Sequence, residues 1–327
     1  KSRLLLKEAL NVDNFRGIVR LLKAILLTTL IFETVGALLS FPVFVRDYPP
    51  LKALGISIFH SVSSFNNAGF DILGGGQSLI PYQNDILLNL VTGGLIIFGG
   101  LGFLVILDVL KNRSFRKLTL HSKVVISTTL TLLTAGTLVF RFTEHMPWIG
   151  AFFNSVTART AGFATYPLND FSNAGLFVMI LLMFIGASPG STGGGIKTST
   201  FFILMQTMRS ALNKRHMGAF HRSISPENTS RAFLITQLSL CAVLIGTFLL
   251  CLLEPSFEMR QLLFEVVSAF GTAGLSTGIT ADLHAASKLI LIFLMFIGRL
   301  GAFTIITMWI ERPEQNVRYT EESITIG

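Results

Sequence analysis

Three short stretches of the chain have residue types and spacing that suit the coordination of an alkali cation. Each has an alanine, a glycine and a large apolar residue in succession, with a phenylalanine ten residues before the glycine. The stretches are Ala68-Gly69-Phe70, Ala161-Gly162-Phe163 and Ala273-Gly274-Leu275, preceded by Phe59, Phe152 and Phe264. Glycine reaches backbone angles that other residues resist and adds no side chain. Carbonyl groups of the extended segments 66–70, 157–163 and 270–275 can therefore point at one axis and replace the water around K⁺ or Na⁺.

The simpler interpretation of these glycines is close helix packing, because small residues let transmembrane helices approach one another. A single glycine does not decide between the two interpretations. Three glycines in register favour ion binding, and half-length helices that end at the same place would direct their negative dipole ends toward a cation.

A second candidate stretch lies between Phe184 and Thr200. The apolar runs on both sides are typical of a helix, but one proline and five glycines between Gly186 and Gly195 cannot hold a regular helix. Broken backbone at membrane depth is tolerated only where protein or a water-filled cavity satisfies its polar groups. The stretch therefore predicts a pathway for an ion or another solute.

The composition places these stretches in a membrane. The chain is 51% hydrophobic and 13% charged, with a mean hydropathy of +0.64, whereas about a quarter of the residues of a soluble domain are charged. Five apolar runs are long enough for the roughly 20 residues that a spanning helix needs. The runs are Ile18 to Phe44, Ile86 to Leu110, Val124 to Phe140, Ala232 to Leu253 and Leu289 to Ile310.

The net charge of +8 follows the loops between these runs. Lys and Arg cluster in residues 1–23, 111–123 and 209–231 and at Arg312 and Arg318, while the intervening loops carry few. Cytoplasmic loops of membrane proteins are enriched in Lys and Arg. The pattern predicts a multi-pass protein of the cell membrane, with both chain ends and loops 111–123 and 209–231 in the cytoplasm. Membrane topology explains the charge without a nucleic-acid partner.

A repeated unit organises the chain: a spanning helix, a short segment and a second spanning helix. Gly99, Gly186 and Gly298 in the second helices follow the three glycines above by 30, 24 and 24 residues. We expect the short segments to form helices at about 51–65, 148–158 and 259–270. Proline is tolerated in a first helical turn, so Pro147-Trp148 and Glu254-Pro255 are predicted helix starts.

These units, with one glycine stretch each and the glycine-rich break, resemble the Ktr/Trk/HKT superfamily of potassium transporters. The break resembles the gating loop in the third repeat of bacterial Ktr-type subunits, and the likeness covers nearly the whole chain. The resemblance implies an all-α integral membrane fold of tandem helix–pore-helix–helix repeats. In that family, four such repeats surround one pore with pseudo-four-fold symmetry, as in a K⁺ channel.

By this resemblance the units are repeats two, three and four, at 18–118, 119–223 and 224–311. Residues 1–17 are expected to form a cytoplasmic connecting or surface helix, and residues 312–327 a cytoplasmic tail. The first repeat and its filter would precede Lys1. The chain begins Lys1-Ser2-Arg3 rather than with Met, and we expect the missing repeat to lie upstream.

The resemblance also implies which residues select and gate the ion. K⁺ would bind backbone carbonyls only, in a selectivity filter made of Asn67, Ala68, Gly69, Phe70, Thr160, Ala161, Gly162, Phe163, Thr272, Ala273, Gly274 and Leu275. The gate would comprise Gly186, Ala187, Ser188, Pro189, Gly190, Ser191, Thr192, Gly193, Gly194, Gly195, Lys197 and Arg299.

Arg299 lies one residue after Gly298 inside the last apolar run, where an arginine is costly and a functional candidate. By the resemblance it faces the gating loop; the alternative is that it reaches the membrane surface with its long side chain.

Four other charged residues are weaker candidates. Asp71 can concentrate cations at an outer mouth or be a solvated loop residue. Glu33 is expected to pair internally, with ion binding as the alternative. Glu265 is expected to favour a helix N-terminus, and Arg159 to brace the filter from behind, because an arginine facing the pore would repel K⁺.

The predicted function is potassium uptake, with Na⁺ as a candidate coupling or activating ion and no covalently bound cofactor. The resemblance implies a homodimer that binds a cytoplasmic nucleotide-binding ring of the RCK type. Loops Lys111 to Lys117 and Arg209 to Arg222 are candidate contacts, although anionic membrane lipid also explains their charge.

Two other classes of function compete. The sequence of residues 190–198 resembles a phosphate-binding P-loop, which would imply an ATP-driven transporter. However, Ile196 separates the glycine from the lysine, and the run follows an apolar helical segment rather than a strand. A structural membrane subunit without a pore is the second alternative; the repeated glycine stretches argue against it.

Overall fold

The computed structural model describes residues 15–213 and 217–301, and almost all of its regular structure is helical. Residues 1–14 of the expected N-terminal helix, residues 302–310 of the last apolar run and the tail at 312–327 lie outside the described residues. The helices are α1 (Phe15–Phe44), α2 (Pro50–Phe65), α3 (Ile86–Leu101), α4 (Phe103–Asn112), α5 (Leu120–Thr143), α6 (Trp148–Thr157), α7 (Asn173–Phe184), α8 (Thr198–Leu212), α9 (Pro226–Leu253), α10 (Met259–Gly271) and α11 (Ala285–Leu300). Short 3₁₀ turns occupy Ile80–Tyr82, Phe115–Lys117 and Leu168–Asp170, and β1 (Gly218–Ala219) pairs antiparallel with β2 (Arg222–Ser223).

Within the described residues, three long helices are apolar enough to cross a bilayer: Leu21–Phe44 within α1, α5 and α9. The all-α membrane fold predicted from the sequence is therefore confirmed. Helix α7 is also apolar, but it ends after 12 residues at Phe184, where the sequence predicted a break.

Short helices α2, α6 and α10 lie where the sequence predicted them. Pro147 precedes the first residue of α6, as expected. The predicted start at Glu254-Pro255 is wrong, because α10 begins at Met259 and is capped by Glu258 in a capping box with Gln261. Glu254 instead ends α9, and its carboxylate accepts the backbone N–H of His284 at 2.7 Å.

The predicted run Ile86 to Leu110 is not one helix. It bends by 97° between α3 and α4 at Gly102, where φ is +90°. An L-residue with a side chain resists that angle, and the Phe103 N–H turns away from α3 to donate to Gly190 O at 3.2 Å. Apolar residues continue through the bend, so hydropathy does not reveal it.

The described part of the last apolar run ends its helix at a glycine with positive φ, as α3 does at Gly102. Helix α11 stops at Leu300, and Gly301 has a φ of +88°. Gly301 follows Gly298 by the same three residues that separate Gly102 from Gly99. Arg299 therefore lies in the last turn of α11, whereas the sequence placed it midway along a run reaching Ile310.

Small residues bring the helices of each unit together. Ser61 donates to the Glu33 carbonyl at 2.6 Å beside Gly36 of α1, and Ser155 donates to the Leu133 carbonyl at 2.9 Å beside Gly136 of α5. Among the glycines of the second helices, Gly99 lies against the Phe65 carbonyl and Gly298 against the Phe270 carbonyl. Close packing therefore accounts for these second-helix glycines.

Replacing Gly99 by alanine tests this packing, because the added Cβ would overlap the Phe65 carbonyl oxygen. We expect Gly99→Ala to lower stability by about 1–3 kcal/mol, the usual cost of overpacking, seen as a lower Tm in detergent. Gly94→Ala is the matched control in the same helix, since its Cβ would meet nothing within 4 Å. Equal Tm values for the two variants would contradict the packing.

Candidate ion pathway

The three predicted glycine stretches converge in the structure. Gly162 lies between the other two: a Cβ built on it would fall 3.4 Å from the Cα of Gly69 and 3.4 Å from that of Gly274. A Cβ on Gly69 would likewise lie against the Ala161 carbonyl oxygen. Backbone from three distant parts of the chain therefore meets at van der Waals distance, with no side chain at the glycines to separate it.

The three stretches also share an unusual backbone conformation. Positive φ angles occur at the glycine and two residues before it, while the alanine between them is not in the left-handed region. The angles are +52°, +77° and +50° at Asn67, Thr160 and Thr272, and +71°, +87° and +79° at Gly69, Gly162 and Gly274. Positive φ is a genuine outlier for a β-branched threonine, and strain of this kind concentrates at functional sites.

A hydroxyl group fastens each stretch to its own short helix. The acceptor is always the carbonyl of the residue after the glycine, and the donor lies near the end of the helix. The pairs are Ser63 to Phe70 at 2.8 Å, Thr157 to Phe163 at 2.6 Å and Ser268 to Leu275 at 2.6 Å. None of these three hydroxyl donors was predicted from the sequence. A Ser or Thr five or six residues before each glycine was the available signal.

The first two stretches are joined by side chains as well. The amide of Asn67 and the hydroxyl of Thr160 lie 2.9 Å apart, in hydrogen-bond contact. The first and third stretches do not touch in this way; a cleft of about 400 Å³ separates them, and Asn67, Phe70 and Leu275 are among its lining residues. The large residues after the glycines differ accordingly: Phe163 is fully buried and Phe70 is 69% exposed.

The predicted glycine-rich break folds back on itself between α7 and α8. Ile185 and Ile196 form an isolated parallel bridge, and the Ala187 N–H donates to the Gly194 carbonyl at 3.3 Å. Gly186 packs directly on Gly194. The two ends of residues 186–195, which we call the intramembrane loop, therefore lie side by side between α7 and α8.

The intramembrane loop contacts all three glycine-bearing units. Two contacts are hydrogen bonds and the third is tight packing. They are Gly194 N–H to Thr272 Oγ1 at 2.9 Å, Thr192 Oγ1 to the Phe65 carbonyl at 3.3 Å, and Gly193 against Thr160 Oγ1. The loop therefore lies directly against residues next to the three converging glycine stretches.

The loop is also anchored to the neighbouring helices. Ser188 N–H donates to Gly100 O at 3.0 Å and Thr192 N–H to Gly99 O at 3.3 Å, both in α3, and Gly195 N–H donates to Gly298 O of α11 at 3.2 Å. A P-loop needs such N–H groups free to bind phosphate. Here they are bonded to protein carbonyls, so the arrangement does not fit a phosphate site.

Three basic side chains donate to carbonyls of the loop. Lys197 Nζ donates to Gly193 O at 2.7 Å, and Arg299 donates to Thr192 O from the last turn of α11. Arg159, which is buried and directly precedes the second glycine stretch, donates to Gly186 O at 3.4 Å. Arg299 thus contacts the loop, as the resemblance implied, and the bracing role expected of Arg159 stays a prediction.

The acidic candidates have other roles. The prediction that Glu265 marks a helix N-terminus is wrong, because Glu265 is the seventh residue of α10. Its carboxylate binds the segment after the third glycine stretch, where it accepts hydrogen bonds from Thr277 N–H at 2.9 Å and Thr280 Oγ1 at 2.7 Å. Glu33 accepts from Asn66 Nδ2 at 2.8 Å, an internal pairing. Asp71 caps a local turn by accepting from a backbone N–H at 3.1 Å.

Comparison with known proteins gives one consistent family. The sequence profile of the TrkH family, described as a cation transport protein, matches residues 2–144 and 118–319. The chain is similar to the potassium/sodium uptake protein NtpJ of Enterococcus hirae, with 40% identity over 99% of this chain and 76% of that protein. It is also similar to the Ktr system potassium uptake protein B of Vibrio alginolyticus, with 37% identity over 100% of this chain and 74% of that protein.

A solved structure shares the fold. The potassium transporter TrkH from Vibrio parahaemolyticus superposes with a TM-score of 0.73 at 18% identity, over 94% of this chain and 68% of that one.

Ser268→Ala tests whether the hydroxyl groups hold the glycine stretches. Loss of the buried hydrogen bond to the Leu275 carbonyl should lower stability by about 1–3 kcal/mol, measured as a lower Tm in detergent. Ser239→Ala is the control, because that equally buried hydroxyl bonds only the Ile235 carbonyl within its own helix at 2.8 Å. If both variants lose the same stability, Ser268 has no special part in fastening the stretch.

Proposed function

Because this chain belongs to the TrkH family of cation transport proteins, we propose that it carries potassium ions across the cell membrane as the conducting subunit of an uptake system. The observation that carries the proposal is the convergence of Gly69, Gly162 and Gly274 with matching backbone angles. The names of the similar proteins, potassium/sodium uptake protein and Ktr system potassium uptake protein B, indicate the same class of substrate.

Backbone carbonyls perform the ion selection in this proposal. A dehydrated K⁺ needs several oxygen ligands to replace its water, and the left-handed angles at Thr160 and Gly162 allow carbonyls on either side of Ala161 to turn toward the shared axis. The hydroxyl of Thr157 then fixes the carbonyl that follows. Selection therefore depends on backbone geometry, which side chains hold in place without entering the path.

The intramembrane loop is the gate. Its contacts with all three glycine-bearing units, together with the binding of Arg299 and Lys197 to its carbonyls, support a closed state of this gate. Positive charge beside the path also opposes the passage of a cation. Opening requires the loop to leave, and glycines at 190 and 195, with φ of +69° and +71°, give the backbone the freedom to refold.

The subunit is proposed to act with partners, as the words "Ktr system" in the names of similar proteins suggest. We propose a homodimer, a cytoplasmic nucleotide-binding ring of the RCK type, and Na⁺ as a coupling or activating ion. The two basic loops form a candidate surface for the ring, because the exposed rings of Phe115 and Phe220 lie 6.0 Å apart and join them. Membrane lipid is the competing ligand for their charge.

Uptake of K⁺ into liposomes by the purified full-length protein tests the function. We expect flux above that of protein-free liposomes, with K⁺ preferred over Na⁺ and with no requirement for ATP. A correctly folded protein that gives no flux would support a structural subunit instead.

Replacing Gly274 tests the filter. Serine at a φ of +79° is strained and would shift the converging backbone, so Gly274→Ser should lower the K⁺ over Na⁺ permeability ratio at least severalfold. Gly278→Ser is the matched control: Gly278 also has a positive φ, at +92°, but it is exposed and lies four residues beyond Gly274. An unchanged ratio in Gly274→Ser, or an equal loss in both variants, would refute the filter assignment.

Deleting residues 189–195 tests the gate. Gly186 already packs on the far end of the loop, so the shortened chain can close, and K⁺ flux without any activating ligand should rise because the barrier is gone. The control is deletion of Gly74–Gly76, a surface turn where a Cβ at 74 or 76 would meet nothing within 4 Å; its flux should match that of the wild type. A folded but inactive loop deletion would show that the loop is not a barrier.

A further inference from the structure

Arg159 is a buried cation without a carboxylate partner. The residue is 7% exposed, and its Nε has no hydrogen-bond partner within the described chain. Within the described residues, 15–213 and 217–301, Arg159 forms no salt bridge. Burying an unpaired charge inside a membrane protein costs folding free energy. A residue of this kind is therefore a candidate for a functional role.

Its position joins the filter to the gate. The Arg159 N–H completes the end of α6 by donating to Val156 O at 3.1 Å, and the chain then passes directly into Thr160, which has left-handed backbone angles. The guanidinium meanwhile donates to the carbonyl of Gly186, where α7 has ended and the intramembrane loop begins. Arg159 thus joins the second glycine stretch, which belongs to the proposed filter, to the intramembrane loop, which is the proposed gate.

The other two loop cations bind a different region. Lys197 and Arg299 donate to the carbonyls of Gly193 and Thr192, in the far half of the loop. Among these three cations, Arg159 is the one that binds the start of the loop and the one that directly precedes a glycine stretch, at Thr160-Ala161-Gly162. Its hydrogen bond is therefore not a duplicate of theirs.

We infer that Arg159 is a positioning residue that holds the intramembrane loop in its closed place and ties it to the second filter stretch. When the loop leaves, the Gly186 carbonyl leaves with it, and the buried guanidinium loses its described acceptor. The contact therefore favours the closed loop. The inference rests on the proposed function, in which the loop is the gate.

The size of the effect follows from the geometry. Hydrogen bonds to charged groups contribute roughly ten- to a hundredfold in an equilibrium. The 3.4 Å separation is long, so we expect about tenfold in the ratio of seated to displaced loop.

The test measures loop position directly. In full-length protein with Cys241→Ala and Cys251→Ala, the reporter is Ser188→Cys, at a loop position that is 0% exposed when the loop is seated. A water-soluble thiol reagent should modify this cysteine about tenfold faster after Arg159→Met, which keeps the side-chain length and removes the donors. Arg159→Lys, which keeps a charged donor, should restore a rate close to that of the parent.

Asn154→Leu is the matched control. Asn154 is a buried polar residue of the same helix, and its side-chain amide donates to Gly150 O and contacts Met146, away from the loop. Its replacement should leave the modification rate unchanged. An unchanged rate in Arg159→Met would overturn the inference, and equal acceleration in Asn154→Leu and Arg159→Met would show general loosening, which overturns it too.

The readout separates this inference from the proposed function, since thiol modification needs no ion flux. Wild-type protein without K⁺ flux, but with faster modification in Arg159→Met, would refute potassium conduction and leave the Arg159 contact standing. If Arg159→Met does not fold, Arg159→Gln replaces it, with the same expected acceleration and the same refuting result. A K⁺ over Na⁺ ratio that remains unchanged would confirm that Arg159 acts on the loop and not on selection.

Discussion

Backbone hydrogen bonding at membrane depth is the constraint on which this structure depends. A helix satisfies its own N–H and C=O groups, but residues 186–195 are not helical and must find partners elsewhere. They find them in the Gly99 and Gly100 carbonyls of α3, the Gly298 carbonyl of α11 and the hydroxyl of Thr272. Lys197, Arg299 and Arg159 then supply donors for the carbonyls of the loop.

The same constraint links the proposed gate to the proposed filter. Because the loop takes acceptors from the segments that bear the converging glycines, it cannot move without freeing groups beside those glycines. In the described part of the chain, the hydroxyl of Thr272 and the carbonyl of Phe65 accept hydrogen bonds from the loop. The loop and the glycine stretches are therefore neighbours in one hydrogen-bonded network, and each contributes to holding the other in place.

The sequence predicted the features that residue type and spacing encode directly. Recurring glycines at 69, 162 and 274 predicted segments that meet, and the glycine-rich run predicted a broken helix. The bend at Gly102 was missed because apolar residues flank it on both sides and its cause is a contact with Gly190, far along the chain. Glu265 was misplaced for a related reason: its four donors come from the segment after the third glycine, and no local pattern shows them.

The bends at Gly102 and Gly301 occupy equivalent places in their units, yet only the middle unit carries an inserted loop in its sequence. The proposed gate is therefore asymmetric among the units of this chain. Symmetric pores with one gate in every subunit can open in stages and pass intermediate currents. If the single intramembrane loop is the gate, each pore is expected to switch in one step between zero and full conductance, without sublevels.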